Sequence, residues 1–555
     1  MSAALETATA PFASRAPRAP GGLGELWRLA RADVFERMRQ TSFLVSILVM
    51  VWLAHGMMPP ATAGYRTFVI NSVYRPAYGA AWVGGLSATL TSIYFLFVGF
   101  YLVKGSVERD RRTGVGQILA AARVRGLRYL FAKAISNLVV LLAMAAVVVV
   151  TALVMQQALG EDRRFDLLAT LRPFVMVVLP AASFTAAAAV FFDCVPMLRG
   201  GLGNVAWFFL LGILMASAGL DKRDASPFAD VMGGFTVSRV ALAELHRAHP
   251  DVPISSQEMS MGVNVDPRWK KQHVLTYPLR SIPWDARSAA SRLLWISLAA
   301  GIVAIANLCF DRFDRAAERS GGRFTKREER PVVAIVTAAA VRAPRSASEL
   351  TVAPRASGFA AMLRAEVLLL LKGHSYGWYL GVLAALITGT FVPLKGAREF
   401  VLPIASLWPV LIWSALGQRE RREGAAPVLF SSPRPLSRLL ASSWLAGAVL
   451  ALFVFAPVLV RLAIAGEGEF LLGAIAGACF IPALALASGV WTGSAKMFEV
   501  LYLMLWYVGP MHHVAAFDYT GVSIARPLAT TLAEFAITSA LLALAFIGRR
   551  RQLQN

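Results

Sequence analysis

The chain has 555 residues, 57% hydrophobic and 16% charged, where soluble domains average about 45–50% apolar and about 25% charged. Lysine and arginine outnumber the acids 55 to 33, a formal charge of +22. Yet the basic residues sit in short segments between apolar runs, with no RNA-binding signature or zinc-finger spacing, which argues against nucleic acid as a partner. Cys194, Cys309 and Cys479 lie too far apart for a disulfide framework or a paired metal motif and read as small buried apolar residues.

The apolar content is concentrated: Ala134 to Gln157 and Ala446 to Val460 hold no charged residue. Roughly 20 apolar residues cross the hydrocarbon core as a helix, and only helices or closed barrels satisfy their backbone groups in lipid. The runs lack the alternation of barrel strands. The expected fold is therefore an all-α polytopic membrane protein.

In chain order, residues 1–22 are rich in Ala, Pro and Arg and have no apolar core segment, so they read as a disordered cytoplasmic tail and not as a secretory signal. A first half, 23–312, has expected spans near 41–58, 84–103, 134–157, 173–193, 202–220 and 291–310, with an external loop over 221–288. Residues 313–357 form a cytoplasmic linker, partly helical near Glu318 to Arg330. The second half, 358–555, has spans near 375–393, 401–417, 441–464, 470–492, 497–512 and 527–547, about twelve in all. The basic segments Lys104–Lys133, Asp311–Arg355, Arg419–Arg438 and Arg549–Arg551 fall on one side, which the positive-inside rule makes the cytoplasm, with both termini inside.

The halves share a pattern. Arg31-Ala32-Asp33-Val34 precedes the first span and Arg364-Ala365-Glu366-Val367 the seventh, 333 positions on. The same offset carries Leu26, Ala30, Val34 and Met38 onto Phe359, Leu363, Val367 and Leu371, each set an apolar helical stripe. Arginines beside each stripe make these basic amphipathic helices suited to the membrane surface. After the second span of each half, Arg109-Asp110-Arg111-Arg112-Thr113-Gly114 matches Arg419-Glu420-Arg421-Arg422-Glu423-Gly424 at an offset of 310, and Ile118-Leu119 matches Val428-Leu429. The change of offset places 23 extra residues in the first half, around Pro59 to Tyr78. A single charge run is usually a solvated face; two equivalent runs point to duplication. Each half has an even number of spans, so the repeat is parallel.

An interfacial helix, two spans, a basic-acidic segment with Gly, a short amphipathic stretch and four further spans resemble the membrane subunit of ATP-binding-cassette exporters of the type-2 permease family. The resemblance implies that Arg31, Asp33, Val34 and Arg364, Glu366, Val367 belong to elbow helices. It implies that Arg109, Asp110, Arg111, Arg112, Gly114, Ile118, Leu119 and Arg419, Glu420, Arg421, Arg422, Gly424, Val428, Leu429 belong to ATPase-coupling segments. Ser432-Pro433-Arg434 follows the family pattern, whereas Ala122-Arg123-Val124 lacks its proline. Two six-helix units are then fused in one chain. The location implied is the bacterial cytoplasmic (inner) membrane, the partners the lipid bilayer and an ABC ATPase subunit in two copies, with a periplasmic partner for the external loop left open.

No Gly-x-x-x-x-Gly-Lys-Ser/Thr loop occurs, and Gly114-Val115-Gly116 is no nucleotide loop. The chain is thus expected to be no enzyme, with no cofactor of its own and ATP and Mg on the partner. Two other readings compete. A secondary transporter of the major facilitator type also has parallel six-helix halves, and Lys104-Gly105 to Arg112 superficially resembles its loop, but that class has no use for the interfacial helices. A membrane-embedded transferase needs clustered acids or histidines, whereas Asp221, Asp224, Asp230 and Asp266 are scattered.

Within the membrane, Glu534 in the last span stands out, and Arg461 is at similar depth and could pair with it. A structural ion pair, a functional group and a later span start all remain open. Asp193, at a span end, reads as wet, and Lys496 and Glu499 as a local pair. His246 and His249 read as a solvated helix end, and His512-His513 as interfacial polar groups. Trp82, Trp408, Trp413, Trp491 and Trp506 fit interface belts.

Overall fold

The computed structural model describes residues 22–39, 41–59, 65–71, 73–121, 124–220, 230–250, 259–265, 274–279, 281–282, 285–313, 358–372, 374, 376–430, 435–511, 517–521 and 528–554. The tail 1–21, most of the linker, Asp221, Asp224, Asp266, Ser432 to Arg434 and His512-His513 lie outside them.

The described chain is predominantly helical. Its helices are α1 (Gly22–Met38), α2 (Thr41–Gly56), α3 (Ala80–Tyr94), α4 (Phe100–Val103), α5 (Ser106–Arg112), α6 (Val115–Ala121), α7 (Gly126–Leu159), α8 (Leu167–Pro173), α9 (Leu179–Cys194), α10 (Gly201–Leu220), α11 (Gly234–Ala248) and α12 (Ala286–Ala306). After the linker come α13 (Phe359–Leu371), α14 (Tyr376–Phe391), α15 (Leu402–Leu407), α16 (Val410–Trp413), α17 (Arg419–Arg422), α18 (Ala426–Phe430), α19 (Pro435–Ile464), α20 (Gly468–Thr492), α21 (Ala495–Trp506) and α22 (Leu528–Gln554). Among the described residues seven helices are long and apolar enough to cross a membrane: Ala80–Arg112, Gly126–Leu159, Leu167–Cys194, Ala286–Ala306, Leu436–Ile464, Gly468–Thr492 and Leu528–Gln554. α1 and α2 meet at a 72° bend, and Gly201–Met215 and Tyr376–Phe391 are shorter apolar helices.

Local chemistry sets the ends. Asp166 and Asp285 cap α8 and α12, accepting from Ala169 N at 2.9 Å and Ser288 N at 2.8 Å, and Gly493 ends α20 at φ 63°. Among the described residues four π turns interrupt helices, at Phe95–Gly99, Phe174–Val178, Ala397–Val401 and Tyr507–Met511. Such bulges recur at functional positions of helices.

One departure from the all-helical expectation is a four-stranded sheet, β3–β1–β2–β4, of β1 (Tyr65–Ile70), β2 (Tyr74–Pro76), β3 (Met259–Val265) and β4 (Leu275–Tyr277). β1 pairs antiparallel with β2 and β3, and β2 parallel with β4. The extra residues of the first half thus pair with strands from the long segment between α10 and α12. Strands this short, with partners so distant in sequence, leave no periodicity to read.

The chain divides into two compact units. The first comprises residues 1–95, 105–191 and 230–312, and the second 96–104, 192–229 and 313–555. In the first, the Phe68 ring of β1 lies tilted against Trp82 of α3, centroids 4.8 Å apart, within a core of Met58, Ile70, Val237 and Leu245. In the second, Trp413, Phe455, Ile481 and Tyr502 are central.

Three expectations are corrected. Trp82, Trp413 and Trp506 are buried, Trp413 and Trp506 donating to the carbonyls of Gly447 and Pro403, so only Trp408 and Trp491 are exposed as belt residues would be. Asp193 is buried, not wet. Lys496 donates to the carbonyls of Tyr101 and Lys104 and Glu499 accepts from Asn204, in place of a local pair.

Candidate coupling site

α1 carries the first elbow motif. Its buried face is Ala30, Asp33 and Arg37, while Trp27, Arg31 and Phe35 are exposed, the Arg31 guanidinium 5.5 Å from the Phe35 ring. The sequence stripe therefore splits: Ala30 is buried, Leu26 and Val34 half-buried and Met38 exposed. The buried face packs on α7.

Asp33 is the centre of this contact. Its carboxylate accepts from Arg37 Nη2 at 2.9 Å, Lys133 Nζ at 3.0 Å, Ser136 Oγ at 2.7 Å and Arg109 Nη2. Burial by itself pushes the Asp33 carboxyl up. The charges of Arg37, Lys133 and Arg109 and the Ser136 hydroxyl outweigh it and hold the group at about 2, below its ordinary 3.8. Arg37 also donates to Asn137 Oδ1 at 2.5 Å, and Asn137 to the Ala186 carbonyl at 3.2 Å.

Arg109 opens the second motif. Gly105, at φ 95°, breaks the long helix and starts α5; Gly114, at φ 77°, turns α5 into α6. Asp110 is buried and accepts from Tyr129 Oη at 2.7 Å and Lys133 Nζ at 2.8 Å. Lys133 thus bridges Asp33 and Asp110 from inside α7, where the sequence placed it among the loop charges. Arg111 reaches Asp311 at 2.8 Å. What stays outside is Arg112 (66% exposed), Val115 and Ile118 (71% exposed), with Leu119 half-buried.

The second unit repeats the key contact by itself. Glu366 of α13, buried, accepts from Arg419 Nη2 at 2.6 Å. These are the partners that the two sequence offsets assign to Asp33 and Arg109. Glu420, the counterpart of Asp110, is buried too and pairs with Arg549 Nη2 at 3.3 Å. Gly424, at φ 68°, turns α17 into α18 as Gly114 does between α5 and α6. Arg421 and Arg422 are exposed, Arg364 is exposed, Val367 and Leu429 are half-buried, and Val428 falls in α18. Arg549 lies 5.1 Å from the Phe430 ring, so the last helix anchors this segment.

Several of these partners escaped the sequence reading. Arg37, Ser136, Asn137 and Arg549 act in the clamps, and the available signal was Lys133, Ser136 and Asn137 at helical spacing in an otherwise apolar helix. The two intramembrane residues do not meet. Arg461 donates to the carbonyls of Gly389 and Val392, both at 2.7 Å, and so serves a helix C-terminus instead of Glu534, which is buried among Thr531 and Thr538 of its own helix. His246 is exposed at the end of α11, and the His249 ring lies 5.2 Å from that of Tyr74.

Mechanically, each short helix pair is bolted to α1 or α13 by a buried acid–arginine contact and to a long helix, α7 or α22, by a second buried acid. Removing one partner of such a contact costs about 3–5 kcal/mol because an uncompensated charge stays buried. Each segment is thereby fixed to the helix that carries its acid, α5 to α1 and α17 to α13.

Helices this long and apolar are those of a membrane protein. Comparison with protein-family models, curated proteins and solved structures finds no match.

Proposed function

We propose that the chain is the membrane-spanning permease of an ATP-driven exporter of the ATP-binding-cassette type-2 class. On this reading it has about twelve spans in two parallel-repeated six-helix halves in the bacterial inner membrane, both termini cytoplasmic, and a separate ATPase supplies ATP hydrolysis. The observation that carries the reading is the doubled contact, Asp33–Arg109 in one unit and Glu366–Arg419 in the other, each joining an elbow helix to the segment after the second span. A secondary transporter has no use for a rigid bolt between an interfacial helix and a loop, whereas a permease driven from outside the membrane does. Rigid-body swinging of each half by its docked ATPase is the corresponding motion.

The docking face in this reading is Arg112, Val115 and Ile118 on the first segment and Arg421 and Arg422 on the second, since Asp110 and Glu420 point inward. The test is purification of the chain from its host membranes and measurement of the ABC ATPase that comes with it. Ile118→Asp and Arg422→Glu should each lower ATPase recovered with the purified chain about tenfold, as loss of about 1.4 kcal/mol gives, with the melting temperature unchanged. Full recovery in both variants, or no ATPase bound to the unaltered chain, overturns the proposal.

A further inference from the structure

Three helix ends of the second unit converge on the first turn of α21. α4 ends there with its last carbonyls, α10 begins there with its first turn, and α21 contributes Lys496 and Glu499, one turn apart. Lys496 Nζ donates to the carbonyl oxygens of Tyr101 and Lys104, at the C-terminal end of α4. Glu499, buried, lies against the start of α10: Asn204 Nδ2 donates to Glu499 Oε2, and a Cβ on Gly201 would come within 2.6 Å of Oε1. The cation thus meets a negative helix end and the anion a positive one, the favourable sense in both cases.

The space between is closed by buried polar groups. Lys104 Nζ donates to Asn204 Oδ1 at 2.7 Å and to the Gly200 carbonyl at 3.2 Å, and Tyr101 Oη to the Asn204 carbonyl at 2.9 Å. Asp193, buried at the end of α9, acts electrostatically on Lys104. Two cations, Lys104 and Lys496, so face two acids, Asp193 and Glu499. Gly201 and Gly203 leave no room for side chains: a Cβ on Gly203 would come within 2.9 Å of Lys104 Nζ.

Buried charges are costly unless they are paired and hydrogen-bonded. Here they join helix ends and do not line an apolar interface, so the junction holds in discrete steps: separate α21 and both terminal contacts are lost together. We propose that Lys496 and Glu499 form a latch that pins the ends of α4 and α10 to α21 and releases them as one step of the conformational cycle. The latch rests on the reading of the chain as a transporter and not on what drives it, and its failure would leave the docking assignment standing.

Cys194 reports on it. The thiol belongs to a fully buried residue next to Asp193, and its carbonyl accepts from Arg199 Nη2 at 3.0 Å, just before the Gly200–Gly201 turn. Cys479, in α20 of the same unit, is an internal control. The experiment uses the full chain in nanodiscs with Cys309→Ser, N-ethylmaleimide as the probe, and mass spectrometry to read labelling rates at both cysteines. Glu499→Gln and Lys496→Met should each raise the Cys194 rate at least tenfold while Cys479 stays within twofold. An unchanged Cys194 rate in both variants, or equal acceleration of both cysteines, overturns the latch, the second result marking general loosening.

Discussion

Replacing Asp33 with Asn tests the first clamp most directly, because the shape is kept and only the charge is removed. The carboxylate is buried and receives Arg37, Lys133, Arg109 and Ser136. Its carboxyl sits at about 2 against an ordinary 3.8, a difference that corresponds to about 2 kcal/mol of stability in the charged form. Breaking a buried ionic contact by mutation costs about 3–5 kcal/mol. The remaining partners soften this, since Lys133 keeps Asp110, Arg37 keeps Asn137 and Arg109 keeps Glu36 at 3.3 Å. We therefore expect a loss of about 2–3 kcal/mol, or about 5–10 °C in melting temperature for a unit of this size. Glu366→Gln removes a single ion pair, to Arg419, and should cost about half as much. The assay is thermal unfolding of the purified full chain in detergent. The folded-state carboxyl lies below the unfolded one, so its stabilisation is complete above about pH 4 and disappears as pH falls through about 2. The gap between the parent chain and Asp33→Asn should be constant from about pH 8 to pH 5 and narrow below about pH 4. A variant melting within about 1 °C of the parent at neutral pH, or a gap that widens on acidification, would show that Asp33 does not hold the clamp as a charged group.

Two further outcomes follow from the packing of the second unit. A double-mutant cycle on Arg461→Gln and Glu534→Gln should give a coupling within about 0.5 kcal/mol, because Arg461 is committed to the Gly389 and Val392 carbonyls; a coupling above about 1 kcal/mol would restore the direct pair. Gly489→Ala should lower stability by about 1–3 kcal/mol, since its Cβ would come within 2.0 Å of the Leu416 carbonyl oxygen. Gly468→Ala, with nothing within 4 Å of its Cβ, is the matched control, and an equal loss at both positions would contradict the packing.

Hydropathy alone marked the membrane character of the chain, because long uncharged runs have few other structural solutions. Each of the expected spans overlaps helix in the structure, although the segment over 401–417 is broken into short pieces around Pro409. The paired motifs also singled out Asp33, Arg109, Glu366 and Arg419, which the structure joins in two ion pairs, one in each unit. Sequence spacing did not reveal which of the motif charges face inward. Asp110 and Glu420 look like solvated loop acids beside arginines, yet both are buried, because Lys133 and Arg549 approach them from other helices.

Composition and repetition along the chain are enough to mark a helical membrane protein and to pick out the two equivalent acid–arginine motifs. The partners came from packing: the clamp around Asp33, the sheet joining β1 and β2 to β3 and β4, and Arg461 serving carbonyls and not Glu534. Charge pairing depends on which helix ends and faces come within about 4 Å of each other, and that distance belongs to the packed chain.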